Sequence, residues 1–421
     1  MNDNQSNRYT ENYLIDFAQA QQLLIEHSSP VDTEIVDIND ASGRVLAQSI
    51  SSPVFVPPFN NSAMDGYAVN SQDLCGADQS NPISLELIGL TAAGDNIESI
   101  TDTKGKAWKI MTGAPVPEGF DSIIPVENTQ LEGNQVVCFS TPKLAAHIRK
   151  RGEDFSEGEA ITSWGTIINA NTVMAFAALG IAKVKVFKKV NVSVFSTGKE
   201  LVDDPNQSLK PGQIRNSNKP FIFEWFKDLP VEVHDAGTNF DEVEKFVTDL
   251  QQELNKGTEI IISSGAVSMG DFDFIPQTIK KLGGEIIFHK SKIRPGKPIL
   301  FAKFPNGSYY FGLPGNPISS AIGLRFFVSS LLRNILGLPQ EKPLTAVVQN
   351  GMNKKVGFRV ILKAAVNINS TKLETTILEG QESFKIKPLT QANGWAVAPE
   401  NKETIEKGDI IDFYPTMLYW Q

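Results

Sequence analysis

"VNVSVFSTGKEL", Val190 to Leu201, is the stretch on which the reading of the fold turns. Val190, Val192, Val194 and Phe195 form a short apolar run that stops at Ser196-Thr197-Gly198, the pattern of a buried strand and its exit turn. Downstream, the chain alternates. "SNKPFIFEWFKDL" reads as a helix, "VEVHDAG" as a strand, "FDEVEKFVTDLQQEL" as a helix and "EIIISSGAVSMGDFDF" as a strand with its loop. "IPQTIKKLG" is a further helix, "EIIFHK", "PILFAKF" and "YYFGLPGNP" are strands, and a closing helix starts near Ile318. Strand and helix in turn predict a mostly parallel sheet wrapped by helices, with ligand-binding loops at the carboxyl ends of the strands.

Outward from this block the pattern changes on both sides. "YLIDFAQAQQLLIEH", Tyr13 to His27, has apolar residues at helical spacing and ends before Ser28-Ser29-Pro30. "SGRVLAQSISSPVFVPPF" is extended and proline-rich, with a boundary near Ser52. Residues 53–143 alternate short β-like runs with Gly and Pro turns. A charged turn, "HIRKRGEDFSEGEAI", then leads to the helix-to-strand segment "NANTVMAFAALGIAKVKVF". After Pro343 the helical period disappears, and "FRVILKAAVNI", "LETTIL", "WAVAP" and "DIIDFYP" read as strands of a final β domain. The expected class is multidomain α/β: a central, mostly parallel sheet domain with flanking β-rich domains.

Composition narrows the function. The 421 residues, 41% hydrophobic and 21% charged, are those of a globular protein of several domains. A net charge of −9 argues against a nucleic-acid binder, which needs a basic face. No apolar run approaches the roughly 20 residues that span a bilayer, and no signal peptide is evident, so a cytoplasmic, non-membrane protein is expected. Cys75 and Cys138 lack CxxC spacing, which excludes a disulfide framework and a cysteine zinc site. The scattered histidines make no HExxH site.

Three loops share one design, in which a strand ends, small residues come next and a helix begins: "FSTGKEL", "SSGAVSMGDFD" and "GLPGNPISS". Glycine lets backbone approach a ligand closely, and the exposed N–H groups suit phosphate oxygens. None fits the P-loop or the dinucleotide fingerprint. Glu200, Asp271 and Asp273 place carboxylates at the same rim, and carboxylates beside phosphate suggest a shared Mg²⁺, although acidic residues are also favoured at helix starts for the dipole alone. Opposite them, Pro295 and Gly296 in "KIRPGKP" hold a turn that presents Arg294 and Lys297, a fork and a point charge for an oxyanion.

Taken in order, "NNSAMDGYAV", "IMTGAPVPEG", "RGEDF", "STGKEL", "GQIRNSN", "SSGAVSMGDFD", "RPGKP" and "GLPGNPISS" resemble the molybdopterin molybdenumtransferase family, which includes bacterial MoeA and the gephyrin E domain. The resemblance implies an L-shaped, four-domain homodimer that inserts molybdate into adenylylated molybdopterin with release of AMP, assisted by Mg²⁺. It implies a linker domain of residues 12–52 plus 144–185, a β-rich domain over 53–143, an α/β molybdopterin-binding domain over 186–338 and a C-terminal β domain over 339–421. Carried over by motif, the catalytic residues are Asp65, Thr112, Glu200, Asp273, Arg294 and Lys297, with Glu200 and Asp273 on the metal. Gly66 is expected to let the Asp65 loop turn toward the cleft. Asp154, Thr197, Gly198, Asn218, Ser264, Gly265, Ser268, Gly270, Pro314, Gly315 and Asn316 are expected to bind substrate. Implied partners are an adenylyltransferase and the apo-molybdoenzymes.

The chain departs from the family pattern at Ala266 in the "SGG" turn, at Thr238, Asn239 and Asn216 where acidic residues are usual, at Arg294, and at Lys387-Pro388 in place of small hydroxyl residues. Two other readings fit the same loops. One is molybdopterin adenylyltransferase, against which the flanking β domains argue; the other is a scaffold that binds molybdopterin without turnover.

Overall fold

The computed structural model describes residues 14–96, 99–239, 242–265, 274–369 and 371–416. The chain forms two compact units, Ser49–Ser163 with Ala170–Ala182, and the remainder.

The smaller unit is built on a six-stranded mixed sheet. Its strands are β1 (Gly66–Val69), β2 (Ile83–Thr91), β3 (Lys106–Ile110), β4 (Ser122–Pro125), β5 (Thr129–Glu132) and β6 (Gln135–Cys138), in the order β4-β1-β3-β2-β6-β5. Alternation sets its two faces. Tyr67, Val69, Ala107, Ile124 and Val136 pack into one apolar cluster, and Ala68, Trp108, Ile110 and Ile123 into another.

The larger unit contains the predicted α/β block. Strands β7 (Val190–Thr197), β8 (Val231–Asn239), β9 (Ile260–Ser264), β10 (Glu285–His289), β11 (Leu300–Lys303) and β12 (Tyr309–Leu313) make one sheet in the order β8-β7-β9-β12-β11-β10. The first four are parallel, whereas β11 runs antiparallel to both β12 and β10. Val192, Val194, Ile260, Ile262 and Phe311 face one layer of helices: α1 (Phe17–Glu26), α3 (Asn218–Phe226) and the helical run from α6 (Pro317–Gly323) to α7 (Ser329–Ile335). A separate helix, α2 (Ala170–Ala178), belongs to the smaller unit. Phe195, Ile261 and Tyr310, one residue out of phase, face α4 (Val243–Lys256) and α5 (Ile275–Lys281) on the other side. That is why these strands read as unbroken apolar runs: both faces are covered.

The C-terminal strands β13 (Leu344–Val348), β14 (Arg359–Asn369), β15 (Lys372–Ile377), β16 (Gly394–Ala398) and β17 (Ile410–Pro415) close into a barrel, because β16 pairs with both β17 and β14. Ala346, Val348, Leu362, Ile377, Ala396 and Phe413 fill it. The two-residue strand Ile293–Arg294 adds in parallel to the edge of β14. Sequence patterning finds four of the five barrel strands and misses β13, "LTAVV", which carries little alternation.

Candidate active site

The sheet order fixes where a ligand fits. From β7 the chain passes to β8 on one side and then crosses to β9 on the other, so the connections diverge between β7 and β9. The carboxyl edge at such a switch point is an open crevice in α/β sheets. Thr197 ends β7 and Ser264 ends β9, and the Thr197 hydroxyl donates to the Ser264 carbonyl at 3.3 Å. Gly265 comes next at φ +105°, and a Cβ there would stand 2.3 Å from the Thr197 carbonyl oxygen, so only glycine lets the two turns meet.

Neighbouring turns close on the same crevice. Asn218, the first residue of α3 and itself buried, donates its amide to Ser264 Oγ at 2.6 Å and to the Gly315 carbonyl at 2.9 Å. Three predicted binding segments are thereby tied together by one side chain. Gly198 donates its N–H to the Asn239 carbonyl, and the Glu200 carboxylate folds back over Gly198. Pro314 is buried beneath the turn, and Gly315 and Asn316 are exposed, with Asn316 at the N-cap of α6. Ser268, Gly270, Asp271, Asp273 and Ala266 lie outside the described residues.

The basic turn leans on the same helix. A Cβ on Gly296 would be 3.5 Å from the Ser319 carbonyl and 3.7 Å from Ile322, both in α6. Arg294 and Lys297 flank that contact and are exposed, with the Arg294 guanidinium 5.9 Å from the Phe358 ring. As for a hard cation, Glu200 brings oxygen ligands to the rim, which suits Mg²⁺ shared with a phosphate. No group of three or more His, Cys, Asp or Glu side chains converges among the described residues.

A second carboxylate at this edge escapes motif reading. Asp203 accepts from Asn216 at 2.8 Å, from Lys219 at 3.0 Å and from the Thr238 hydroxyl, while Lys219 also reaches Asp235 at 3.1 Å. Burial alone would raise the Asp203 pKa, but the donors Thr238, Asn216 and Lys219 outweigh it and hold the carboxyl below its ordinary value. Asn216 and Thr238 are two of the positions at which the resemblance noted in the sequence leads one to expect an acidic side chain. Here both act as donors to Asp203, so the amide and hydroxyl replace what would be like charge around one carboxylate. A signal exists in "LVDDPN", an acidic pair just past the glycine loop.

The smaller unit carries its own polar cluster. Asp65 precedes β1, and its Oδ1 accepts both the Thr112 N–H at 2.7 Å and the Thr112 hydroxyl at 2.8 Å. The Thr112 backbone and then its hydroxyl depress the Asp65 pKa. Gly66 is not a turn residue. It opens β1, and a Cβ would lie 2.2 Å from the Ile124 carbonyl oxygen, so its glycine serves close strand approach rather than loop freedom. Asp154 sits exposed on a turn whose backbone N–H bonds the Val56 carbonyl, beside Arg151 stacked 3.9 Å over Phe55.

Similarity to known proteins spans nearly the whole chain. Residues 15–180 match the MoeA N-terminal region (domain I and II), 193–334 a probable molybdopterin binding domain, and 345–416 the MoeA C-terminal region (domain IV). A molybdopterin molybdenumtransferase of Synechococcus elongatus is 33% identical over 406 residues, 95% of this chain and 99% of the relative. The chain belongs to the MoeA family of molybdopterin molybdenumtransferases. A Haemophilus influenzae member is 32% identical over 94% of this chain and 97% of its own. The crystal structure of a MoeA protein from Pyrococcus horikoshii, 27% identical, superposes with a TM-score of 0.82 over 95% of this chain and 99% of that one. Within this MoeA-type chain, Asp65, Thr112 and Asp154 fall in the N-terminal region, and the β7–β9 crevice falls in the molybdopterin-binding segment.

Proposed function

We propose that this MoeA-family enzyme of molybdenum-cofactor biosynthesis binds adenylylated molybdopterin at the β7–β9 crevice and transfers molybdenum from molybdate to its dithiolene sulfurs, with AMP as the leaving product. The observation that carries the reading is the junction of Thr197, Ser264, Asn218 and Gly315 at the strand-order switch. Glycine turns there leave no Cβ between the backbone and a phosphate, and the Arg294–Lys297 turn against α6 supplies cationic charge for an oxyanion. Such groups act by holding charge in place before it develops. Glu200 would hold Mg²⁺, which would supply positive charge beside the phosphate oxygens. Asp65 and Asp154 are assigned to the same reaction as carboxylates of the N-terminal region, and Asp273 as a second metal ligand.

The four-domain division expected from the sequence goes with this function, and the family resemblance supports a homodimer working in the cytoplasm. No helix among the described residues is long and apolar enough to cross a membrane. The test is direct. Purified protein given adenylylated molybdopterin, molybdate and Mg²⁺ is expected to release AMP, and to stop when EDTA removes the metal. Tight molybdopterin binding without molybdate-dependent AMP release would replace the transferase with a carrier.

A further inference from the structure

One turn of the C-terminal barrel region is held with unusual thoroughness. Residues 382–385 form a reverse turn, in which the Lys385 N–H bonds the Glu382 carbonyl at 3.1 Å. Lys363, fully buried on β14, donates its ammonium to both ends of that turn, 3.2 Å to the Glu382 carbonyl and 3.0 Å to the Lys385 carbonyl. Gln381 fixes the approach by exchanging two 2.9 Å bonds with the Lys363 backbone. The carbonyl of Ser383 accepts the Ile318 N–H at 3.0 Å, which fastens the turn to the first residues of α6, directly after Gly315 and Asn316.

At the tip of this turn stands Phe384, 63% exposed. Burying an ammonium is costly, and burial lowers the Lys363 pKa for that reason. Leaving a phenylalanine in water forgoes the stabilisation its burial would give. Both costs fall on one turn, and that turn is bonded to the helix that begins at the crevice. A mobile surface loop would need neither. A flat face offered rigidly to a planar ligand accounts for both.

Resting on the function proposed above, we infer that Phe384 is a substrate-binding residue whose ring stacks on a fused heteroaromatic ring of the adenylylated molybdopterin, either adenine or pterin. Lys363 is the positioning residue that fixes the turn. Stacking of a base on an aromatic side chain is sequence-tolerant and contributes enough that its loss weakens binding roughly tenfold to a hundredfold.

The experiment titrates wild-type, Phe384→Ala and Phe384→Trp protein with AMP alone and with pterin alone, and measures KM and kcat with adenylylated molybdopterin. Phe384→Ala is expected to weaken one probe and to raise KM about tenfold or more with a smaller change in kcat and an unchanged melting temperature. The probe that weakens identifies the ring, and Phe384→Trp is expected to restore its binding. Unchanged affinities and KM in Phe384→Ala, beside a normally active wild type, overturn this inference alone. Dissociation of the protein on substitution, with probe binding intact, assigns the ring to a subunit contact and also overturns it. A wild type that binds neither probe and releases no AMP removes the proposed function and this inference together.

Discussion

At Asp65 a single carboxylate oxygen collects two hydrogen bonds from one residue, Thr112, while the side chain stays exposed. Asparagine keeps the shape and an acceptor oxygen but loses the charge. Asp65→Asn is therefore expected to leave the melting temperature unchanged and to lower molybdate-dependent AMP release about a hundredfold, the size of losing one preorganised electrostatic group. A lowered melting temperature with normal specific turnover would return Asp65 to a turn-forming role. Asp203 makes the contrasting case, since its bonds to Asn216, Lys219 and Thr238 hold the far end of the glycine loop. Its pKa is depressed in the fold, so its contribution to stability is complete above the unfolded carboxyl value of about 4 and is lost as pH falls through the folded value. Asp203→Asn is expected to cost about 1 kcal/mol at pH 7, a figure discounted for partial exposure. The gap from wild type should close below about pH 4 in denaturant titrations; a gap constant from pH 7 to 3 would refute the assignment.

Among the elements, β1 shows how much can rest on one missing methyl group. Its first residue, Gly66, lies so close to β4 that a Cβ would overlap the Ile124 carbonyl. Gly66→Ala is expected to destabilise the protein by about 1–3 kcal/mol through overpacking and to lower AMP release, because Asp65 is the adjacent residue. Equal stability in urea would show that β1 and β4 can separate without cost. Sequence could not reveal this reason for the glycine, since a close approach between strands distant in the chain leaves no local pattern. The same limit hid the antiparallel β10–β11 edge and the closure of β16 onto β14, which depend on register rather than composition. What was legible was periodic. The helices α1, α3, α4 and α5 follow their apolar spacing, and the parallel strands follow from two-sided burial. The partners of the buried Arg325, between α6 and α7, leave no local pattern either: Glu341 takes its guanidinium with two 2.7 Å bonds, and the Pro415 carbonyl takes its Nε. Lys363 and Phe384 stayed hidden for a related reason, because a buried lysine and an exposed phenylalanine each invert what residue type alone predicts.

For the whole molecule, the family resemblance leads to a homodimer, and light scattering at micromolar concentration is expected to give twice the chain mass of 46.1 kDa. A strictly monomeric, fully active protein would exclude it. The order of motifs along the chain names the candidate segments, namely the glycine turns, the basic turn and the Asp65 segment, before any fold is known. The grouping of the glycine turns at one carboxyl edge of the larger unit needed the strand order, and the Asp203 network needed coordinates. The architecture also bears on how the chain is made. The strand Thr33–Asp37 pairs with Lys183–Phe187, and Lys183 lies 146 residues beyond Asp37. On a ribosome adding about 5–20 residues per second, that early strand waits on the order of ten seconds or more before its partner is synthesised. The intervening smaller unit is made first and can condense first. The larger unit can be completed only after its last strand, Ile410–Pro415, is made, and until Lys183–Phe187 emerges the strand Thr33–Asp37 is an unpaired edge that a chaperone could cover.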